Sequence, residues 1–174
     1  MKAINALFEA QKIAFSPFVF ETSYTILELG ILETINNHKN GISIKEISEE
    51  TNVSEYGVCV LLEMAEAAEI VEKIEADLFG LTKLGYFILR DEMTKVNLYF
   101  THDVCYRGLF YLKESIQNQK AEGLKTLGNW KTIYEGLASL PEKVKKSWFD
   151  FDHFYSDGSF DDALKIIFKD SPKQ

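Results

Sequence analysis

The residues that could do chemistry in this sequence are scattered, and their spacing builds no recognised catalytic or metal-binding motif. The three histidines, His38, His102 and His153, stand at no recognised ligand spacing from a cysteine, a carboxylate or one another. Cys59 and Cys105 have no basic neighbour of the kind that activates a thiol, which favours inert structural roles. The motifs that cradle nucleotide phosphates or present a nucleophilic serine do not occur. We therefore predict no catalytic residue, no cofactor-binding residue and no metal ligand within the chain.

An aromatic cluster at residues 148–155 is the one group with more than structural interest. Trp148, Phe151 and Tyr155 fall on one stripe of a predicted helix, and Phe149 and His153 fall on an adjacent stripe. One interpretation is that both stripes are packed core. In the other, one stripe is core and the second is the wall of a pocket that something else completes. The second interpretation gives three candidate substrate-pocket residues: Phe149, His153 and Phe154.

Composition and charge narrow the classes of protein that this chain can represent. It has 174 residues, of which 46% are hydrophobic and 26% charged, a globular composition with enough apolar material for a core. Its net charge of -8 disfavours nucleic acid and anionic membranes as partners. Two cysteines cannot build a disulfide framework, and neither a signal peptide nor a membrane-spanning pattern is visible. We therefore expect a cytoplasmic protein that binds neither nucleic acid nor membrane.

The first region, residues 1–30, is predicted to form two helices. One runs to Phe15, and Ser16-Pro17 is expected to restart the chain, because serine caps helices and proline suits the first helical position. The second helix ends before Gly30. These helices carry more large apolar side chains than a peripheral helix needs, so we predict that they dimerise with a second copy. The candidate interface residues are Leu7, Phe8, Phe15, Phe18, Phe20 and Tyr24.

Residues 31–90 are predicted to form a winged-helix-like module. Ser43 and Glu46 make a capping-box pattern before one helix, and a second helix is expected from Glu55. Alternating residues then predict a two-stranded β-hairpin, with strands at 70–74 and 78–81. DNA binding by such a module requires lysine and arginine at the groove, but residues 43–85 contain ten acidic residues and three lysines. We therefore expect a packing unit rather than a DNA reader.

Residues 91–174 are predicted to be a helical substrate-side and linker region. A polar-aromatic connection is expected at residues 91–101, followed by one long helix over residues 102–119. Later helices are expected at residues 130–138, 141–155 and 160–168, with a break at Ser156-Asp157-Gly158. The predicted fold class is therefore mainly α: a helical dimerisation segment, a winged-helix-like module with a two-stranded β-hairpin, and further helices.

Several segments resemble the N-terminal region of the class I S-adenosylmethionine-dependent O-methyltransferases, the group that includes hydroxyindole, caffeate and polyketide O-methyltransferases. Leu29-Gly30-Ile31-Leu32-Glu33 is similar to that family's Leu-Gly-Ile-x-Asp segment. Gly80-Leu81-Thr82-Lys83-Leu84-Gly85 is similar to its Tyr-x-Leu-Thr-x-x-Gly pattern. Further, looser similarities lie at Ile44-Lys45-Glu46-Ile47-Ser48, Leu61-Leu62-Glu63-Met64 and Leu127-Gly128-Asn129-Trp130.

The resemblance implies a division of labour between this chain and a further domain. In such enzymes this region dimerises by exchanging helices and covers the substrate pocket. The resemblance implies that a following Rossmann-like domain holds the catalytic base and the S-adenosylmethionine. We expect that domain to be absent here, because the sequence stops at Gln174, where the domain's first strand would begin. The intact protein is then expected to methylate a small hydroxylated acceptor, and this chain alone is expected to be inactive.

Two other functions stay open at this point. One is a winged-helix transcriptional regulator with a helical ligand-binding or dimerisation domain, although the acidic second helix argues against it. The other is a stand-alone protein-interaction module. Retention on DNA would test the first alternative, and a reading frame that continues past Gln174 would test the second.

Overall fold

The computed structural model describes residues 2–169, and the chain divides after Asp91 into two compact units. The predicted fold class is confirmed: the chain is mainly helical, with one two-stranded antiparallel hairpin followed by further helices. Unit 1 contains, in chain order, α1 (Ala3–Glu28), α2 (Ile31–Asn37), α3 (Ile44–Thr51), α4 (Glu55–Ala67), β1 (Val71–Glu75), β2 (Leu78–Leu81) and α5 (Lys83–Arg90). Unit 2 contains α6 (Glu92–Phe100), a π-helical turn (Thr101–Cys105), α7 (Tyr106–Leu109), α8 (Leu112–Asn118), short 3-10 turns between residues 122 and 139, and α9 (Glu142–Ile167).

The N-terminal segment is one helix, so the predicted restart at Ser16-Pro17 is wrong. α1 continues through Pro17, which has no N–H to donate to the carbonyl of Ile13 four residues earlier. The hydroxyl of Ser16 donates to that same carbonyl at 2.8 Å and takes over the missing bond. Ser16 therefore acts inside the helix rather than as its cap.

The helix starts of unit 1 follow the predicted local chemistry. Ser43 and Glu46 form the complete capping box at the start of α3. The hydroxyl of Ser54 accepts from the N–H of Gly57, which caps α4. Asn52 ends α3 in the left-handed conformation with φ 58, which is the role predicted for it.

The hairpin closes the core of unit 1. β1 pairs antiparallel with β2, with Val71 opposite Leu81, and Ile42 makes a further antiparallel bridge to Phe79. α2 packs on β2, α4 packs on β1, and α3 packs against α2 and α4. The fully buried apolar side chains of the unit are Ile26, Ile31, Leu32, Ile35, Ile42, Ile47, Val58, Leu62, Ile70 and Val71. Because they come from every part of the unit, burial of this one cluster holds the helices and hairpin together.

The start of unit 2 is helical, so the predicted connection at residues 91–101 is wrong. Asp91 has extended backbone and separates α5 from α6. α6 contains no glycine or proline that would interrupt a helix. It packs along α9, and this tertiary contact stabilises the helix although its polar residues hide the helical pattern in the sequence. The predicted long helix over residues 102–119 is also wrong. The N–H of Tyr106 donates to the carbonyl of Thr101, five residues earlier, which makes a π turn before α7 and α8.

The last helix is continuous, so the predicted break at Ser156-Asp157-Gly158 is wrong. α9 runs from Glu142 to Ile167 through Gly158. A glycine inside a helix costs about 1 kcal/mol relative to alanine, which is too little to end a helix by itself. The predicted helix at residues 130–138 is replaced by 3-10 turns, Ile133–Glu135 and Leu137–Ser139.

Two further facts bound the fold. Within residues 2–169, no helix is both long and apolar enough to cross a membrane. The end of the predicted third region, residues 170–174, lies outside the described residues.

Candidate functional site

The aromatic face of α9 packs against α6 within unit 2. The rings of Phe100 and Phe151 stack with centroids 3.9 Å apart and planes 15° from parallel. Trp148 lies against the same Phe100 ring at 5.9 Å and meets Tyr134 edge-on. Tyr155 extends the stripe, and its hydroxyl donates to Asn97 Oδ1 at 3.0 Å. The stripe of Trp148, Phe151 and Tyr155 is therefore the packing face of the helix, and Tyr155 is only half covered by it.

The three predicted pocket residues lie outside the packing stripe of α9 and are all exposed. Phe149 is 39% exposed and its ring lies 6.1 Å from the His153 ring. Phe154 is 36% exposed and sits edge-on to Tyr155 at 5.2 Å. His153 Nδ1 lies 3.2 Å from Asp157 Oδ2. None of the three belongs to the buried core of unit 2.

A groove of about 550 Å³ between α6 and α9 brings two of the three predicted residues together. His153 and Phe154 line it, whereas Phe149 is not among its lining residues. The remaining lining side chains are mostly charged: Glu92, Val96, Lys146, Asp150 and Asp157. Lys146 pairs with Asp150, and His153 contacts Asp157. Three carboxylates against one lysine make the groove acidic.

A polar network that the sequence reasoning missed lies at the π turn. Ser147 Oγ on α9 donates to Asp103 Oδ2 at 2.6 Å, and His102 Nδ1 lies 2.8 Å from Asp103 Oδ1. The side chain of Asp103 is 4% exposed, Ser147 is 5% exposed, and 29% of the His102 side chain is exposed. Sequence spacing gives no sign of this cluster, because Ser147 is 44 residues from Asp103 and a π turn has no residue pattern of its own.

Four of the six predicted interface residues are exposed on the first part of α1. Leu7 is 57% exposed, Phe8 63%, Phe15 54% and Phe18 59%. Phe20 is half-buried, whereas Tyr24 is only 7% exposed. The assignment of Tyr24 to a dimer surface is therefore corrected: the end of α1 packs on α2 and α4, and Tyr24 lies in that covered part.

The face that a DNA-binding winged helix would use is acidic here. A groove of about 590 Å³ between α3, α4 and the hairpin is lined by Glu55, Glu63, Glu66 and Asp77 against Lys45 and Lys73. Lys73 is itself paired with Glu66 at 3.4 Å. Such a surface repels phosphate rather than attracting it.

The two cysteines offer no activated thiol. Both are free, and they lie in different units. Burial raises the pKa of the Cys105 thiol above its ordinary value, which keeps it protonated and unreactive. Among residues 2–169, no group of three or more histidine, cysteine, aspartate and glutamate side chains is placed to hold a metal ion.

The described residues do not fit S-adenosylmethionine. Binding of that cofactor in the Rossmann-like class needs a glycine-rich turn at the carboxyl end of a parallel strand, followed by a helix. The only sheet in residues 2–169 is the antiparallel hairpin, and its Gly80 pairs with Glu72 in the middle of the ladder. A Cβ at Gly80 would lie 2.5 Å from Ile74 Cδ1, so this glycine serves packing within the hairpin.

A protein-family profile matches the N-terminal part of the chain. Residues 8–79 match the profile of the Dimerisation2-like domain. That match spans the exposed part of α1, the three following helices and most of the hairpin. No curated protein matches the chain.

Solved structures give the fold of most of the chain. It is similar to the S-adenosylmethionine-dependent methyltransferase SibL, with a TM-score of 0.72 and 16% identity over 85% of this chain. The mitomycin 7-O-methyltransferase MmcR gives a TM-score of 0.68 at 16% identity over 85% of this chain. The N,N-8-amino-8-demethyl-D-riboflavin dimethyltransferase RosA from Streptomyces davawensis gives a TM-score of 0.65 at 16% identity over 96% of this chain.

The fold is therefore that of the N-terminal region of S-adenosylmethionine-dependent O-methyltransferases, and the predicted resemblance is confirmed at this level. The chain spans less than half the length of these structures: 44% of SibL, 43% of MmcR and 48% of RosA.

Proposed function

We propose that this chain is the dimerisation and acceptor-capping region of an S-adenosylmethionine-dependent O-methyltransferase that works in the cytoplasm. The Dimerisation2-like match over residues 8–79 and the shared fold support the assignment. In this proposal the intact protein transfers a methyl group to a small hydroxylated acceptor, and the cofactor is held by residues outside this chain.

The observation that carries the proposal is the exposure of α1. Across residues 2–18, every residue except Ala6 is exposed. Large apolar side chains point outward along this segment, including Ile13, which is 74% exposed. An isolated helix of this length is marginal in water, so this part of α1 needs a covering surface. A second copy of the chain is the commonest such partner, and it makes the protein a homodimer.

The proposed domain assignment divides the chain into three regions. Residues 1–30 supply the dimerisation helix, residues 31–90 form a winged helix, and residues 91–174 carry the acceptor side. The bridge from Ile42 to Phe79 supports the winged-helix assignment, because it places a third segment of the chain beside the hairpin. The acidic groove on this module supports a packing role and disfavours the regulator alternative.

The acceptor side rests on α9. Its packing face is aromatic, and Phe149, His153 and Phe154 are exposed outside that face. Small aromatic ligands are held by apolar walls with a few polar groups that orient them. The three exposed residues are therefore proposed as part of the acceptor pocket.

Two measurements on the 174-residue chain test this function. Sedimentation equilibrium at micromolar concentrations is expected to show a dimer. Titration calorimetry with S-adenosylmethionine is expected to show no stoichiometric binding, because no glycine-rich strand-turn-helix is present to hold it. A monomer at several hundred micromolar, or tight one-to-one cofactor binding, would contradict the assignment.

A third measurement addresses methyl transfer itself. The chain would replace the matched N-terminal part of MmcR, so that the cofactor domain of that enzyme follows it. We expect the chimera to dimerise, to bind the cofactor and to lose the original acceptor, because the acceptor-capping region has been exchanged. Unchanged activity on the original acceptor would show that this region does not select the acceptor.

A further inference from the structure

The groove between α3, α4 and the hairpin, which we call the hairpin groove, lies wholly within unit 1. Its volume of about 590 Å³ is in the range of clefts that hold a ligand. Most of its surface is apolar, and its apolar lining residues include Ile44, Tyr56, Ala76 and Phe79. Tyr56 is 81% exposed, so a large aromatic surface lies uncovered at this groove.

Carboxylates line the hairpin groove on two sides. Glu55, Glu63 and Glu66 share one stripe of α4 with Cys59, and Asp77 lies in the turn of the hairpin. A helix rises 1.5 Å per residue, so Glu55 and Glu63 are about 12 Å apart along the axis of α4. Among residues 2–169, none of Glu55, Glu63 and Asp77 forms an ion pair. The groove therefore carries unpaired negative charge over a length that exceeds the size of a single small cation.

One lysine of the chain shows how this groove holds a cation. Lys73 Nζ lies 3.4 Å from Glu66 Oε2 and 5.6 Å from the centre of the Phe79 ring. A carboxylate and an aromatic ring beside the same ammonium group both favour its charge. The other carboxylates of the groove are placed to make the same kind of contact with cations from outside the chain.

The charge of the whole unit has the same sign as the groove. Residues 1–91 contain fifteen acidic residues against seven lysine and arginine residues, whereas residues 92–174 contain twelve of each. Unit 1 therefore carries the entire net charge of -8. A field of this sign attracts cationic partners and repels nucleic acid and anionic lipid. A metal ion is not favoured, because no group of three ligating side chains within residues 2–169 is placed to hold one.

We propose that the hairpin groove docks a basic peptide segment of a partner protein, with an apolar side chain on the groove surface and lysine or arginine side chains on the carboxylates. Charge complementarity and apolar surface together select this occupant, since a polyamine would use the carboxylates alone. Side chains four residues apart in an extended peptide lie on one side and about 13 Å apart, which matches the spacing of Glu55 and Glu63. The inference goes beyond the dimerisation and acceptor-capping function and does not depend on it.

Three short peptides and spermine are the probes. Acetyl-Lys-Ala-Leu-Ala-Lys-amide places two ammonium groups and one leucine on the same side of an extended chain. Serine in place of the leucine removes the apolar group, and glutamine in place of both lysines removes the charge. NMR shifts of the backbone amides of Cys59, Glu63 and Asp77 would report binding to the 174-residue chain. We expect the first peptide to bind about tenfold more tightly than the glutamine peptide and about fivefold more tightly than the serine peptide.

Variants of the chain separate the groove from the overall charge. Glu63→Gln and Asp77→Asn each remove one carboxylate and keep the size of the side chain, and each should weaken binding of the first peptide about threefold. Glu75→Gln is the matched control, because it removes the same charge from β1 and Glu75 does not line the groove. It should leave the affinity nearly unchanged. All three residues are exposed, and thermal unfolding of each variant checks that it is folded.

Four outcomes would overturn the inference. Equal weakening by Glu75→Gln and Glu63→Gln would show attraction to the unit's charge without docking in the groove. Equal affinity for the leucine and serine peptides would show that the apolar surface is not used. Spermine that binds the same amides more tightly than the peptide would make the occupant a polyamine. If no peptide shifts these amides at millimolar concentration and Glu63→Gln weakens self-association instead, the groove belongs to a second copy of the chain.

Discussion

Truncation of Phe8 to alanine is the sharpest test of the surface on α1. Phe8 is 63% exposed in the chain, so its ring contributes little to the stability of the chain by itself. In the proposed dimer the ring is covered by the second copy. Phe8→Ala is therefore expected to weaken association strongly and to leave the folding of the monomer almost unchanged.

The exposed area sets the size of the effect. A phenylalanine buries about 200 Å² when it is fully covered, so the exposed fraction of Phe8 leaves about 125 Å² for a partner. At about 25 cal/mol per Å², complete coverage would contribute about 3 kcal/mol per protomer. A two-fold interface counts the ring twice, and coverage of half the exposed area then gives about 3 kcal/mol per dimer. That free energy corresponds to a dissociation constant about 100-fold higher.

Sedimentation equilibrium over a range of concentrations measures that constant directly. Tyr56→Ala is the matched control, because Tyr56 is an aromatic residue on α4 that is 81% exposed and lies outside α1. The melting temperature of the unchanged chain should rise with protein concentration, and that of Phe8→Ala should rise less. Equal dissociation constants for Phe8→Ala and the unchanged chain would refute the proposed role of α1.

Four further substitutions test the fold and the site. Gly123→Ala places a Cβ 2.5 Å from the carbonyl oxygen of Gly108, and we expect it to lower the free energy of unfolding by about 1–3 kcal/mol. Gly158→Ala in α9, where nothing lies within 4 Å, should instead stabilise slightly, so denaturant unfolding that ranks the two alike contradicts the close approach. Hydrogen bonds from the Ser43 side chain and backbone lower the pKa of Glu46, so their stabilising effect should be present at neutral pH and lost as the pH falls through that lowered pKa. The difference in unfolding free energy between Ser43→Ala and the unchanged chain should narrow in acid to the part contributed by the Glu46 N–H bond to Ser43 Oγ, and a difference that grows there would reverse the sign. Phe149→Ala should cost less than about 3 kcal/mol in chemical denaturation, because a fully buried aromatic costs about 3–5 kcal/mol and Phe149 is 39% exposed. A larger loss would make Phe149 a core residue rather than part of a pocket.

Local chemistry was enough to predict most of unit 1 from the sequence. The capping box of Ser43 and Glu46, the left-handed Asn52 and the cap at Ser54 each depend on neighbouring residues only. The hairpin strands were also predictable, because alternation and a short polar turn are local patterns. These features need no knowledge of what packs against them.

The predictions were wrong where residues that often interrupt a helix lie inside a helix that other interactions stabilise. Pro17 would end many helices, but the Ser16 hydroxyl supplies a hydrogen bond to the carbonyl that proline leaves unpaired. Gly158 costs α9 about 1 kcal/mol, and the helix continues on both sides of it. Residues 91–101 look like a polar connection until α9 is known to cover one side of them.

The candidate site was half predictable for the same reason. Helical spacing separated the packing stripe from Phe149, His153 and Phe154, since the faces of a helix follow from residue number alone. The network of His102, Asp103 and Ser147 was not predictable, because it depends on a π turn and on a helix 44 residues later. A search for ligands at fixed spacing cannot find such a cluster.

Two helical segments of the chain carry apolar side chains that are exposed rather than packed. Residues 2–18 of α1 and residues 157–169 at the end of α9 are exposed on nearly every side. Each nevertheless carries large apolar side chains at helical spacing; on α9 these are Phe160, Leu164, Ile167 and Phe168. An isolated helix of roughly 12 to 15 residues is marginal in water unless one of its faces is packed. Neither segment has a packed face within the chain described here, so neither draws its stability from such packing. The apolar residues that face inward, such as Phe151 on Phe100, stabilise the chain itself, whereas those that face outward are the residues that the proposed association would cover.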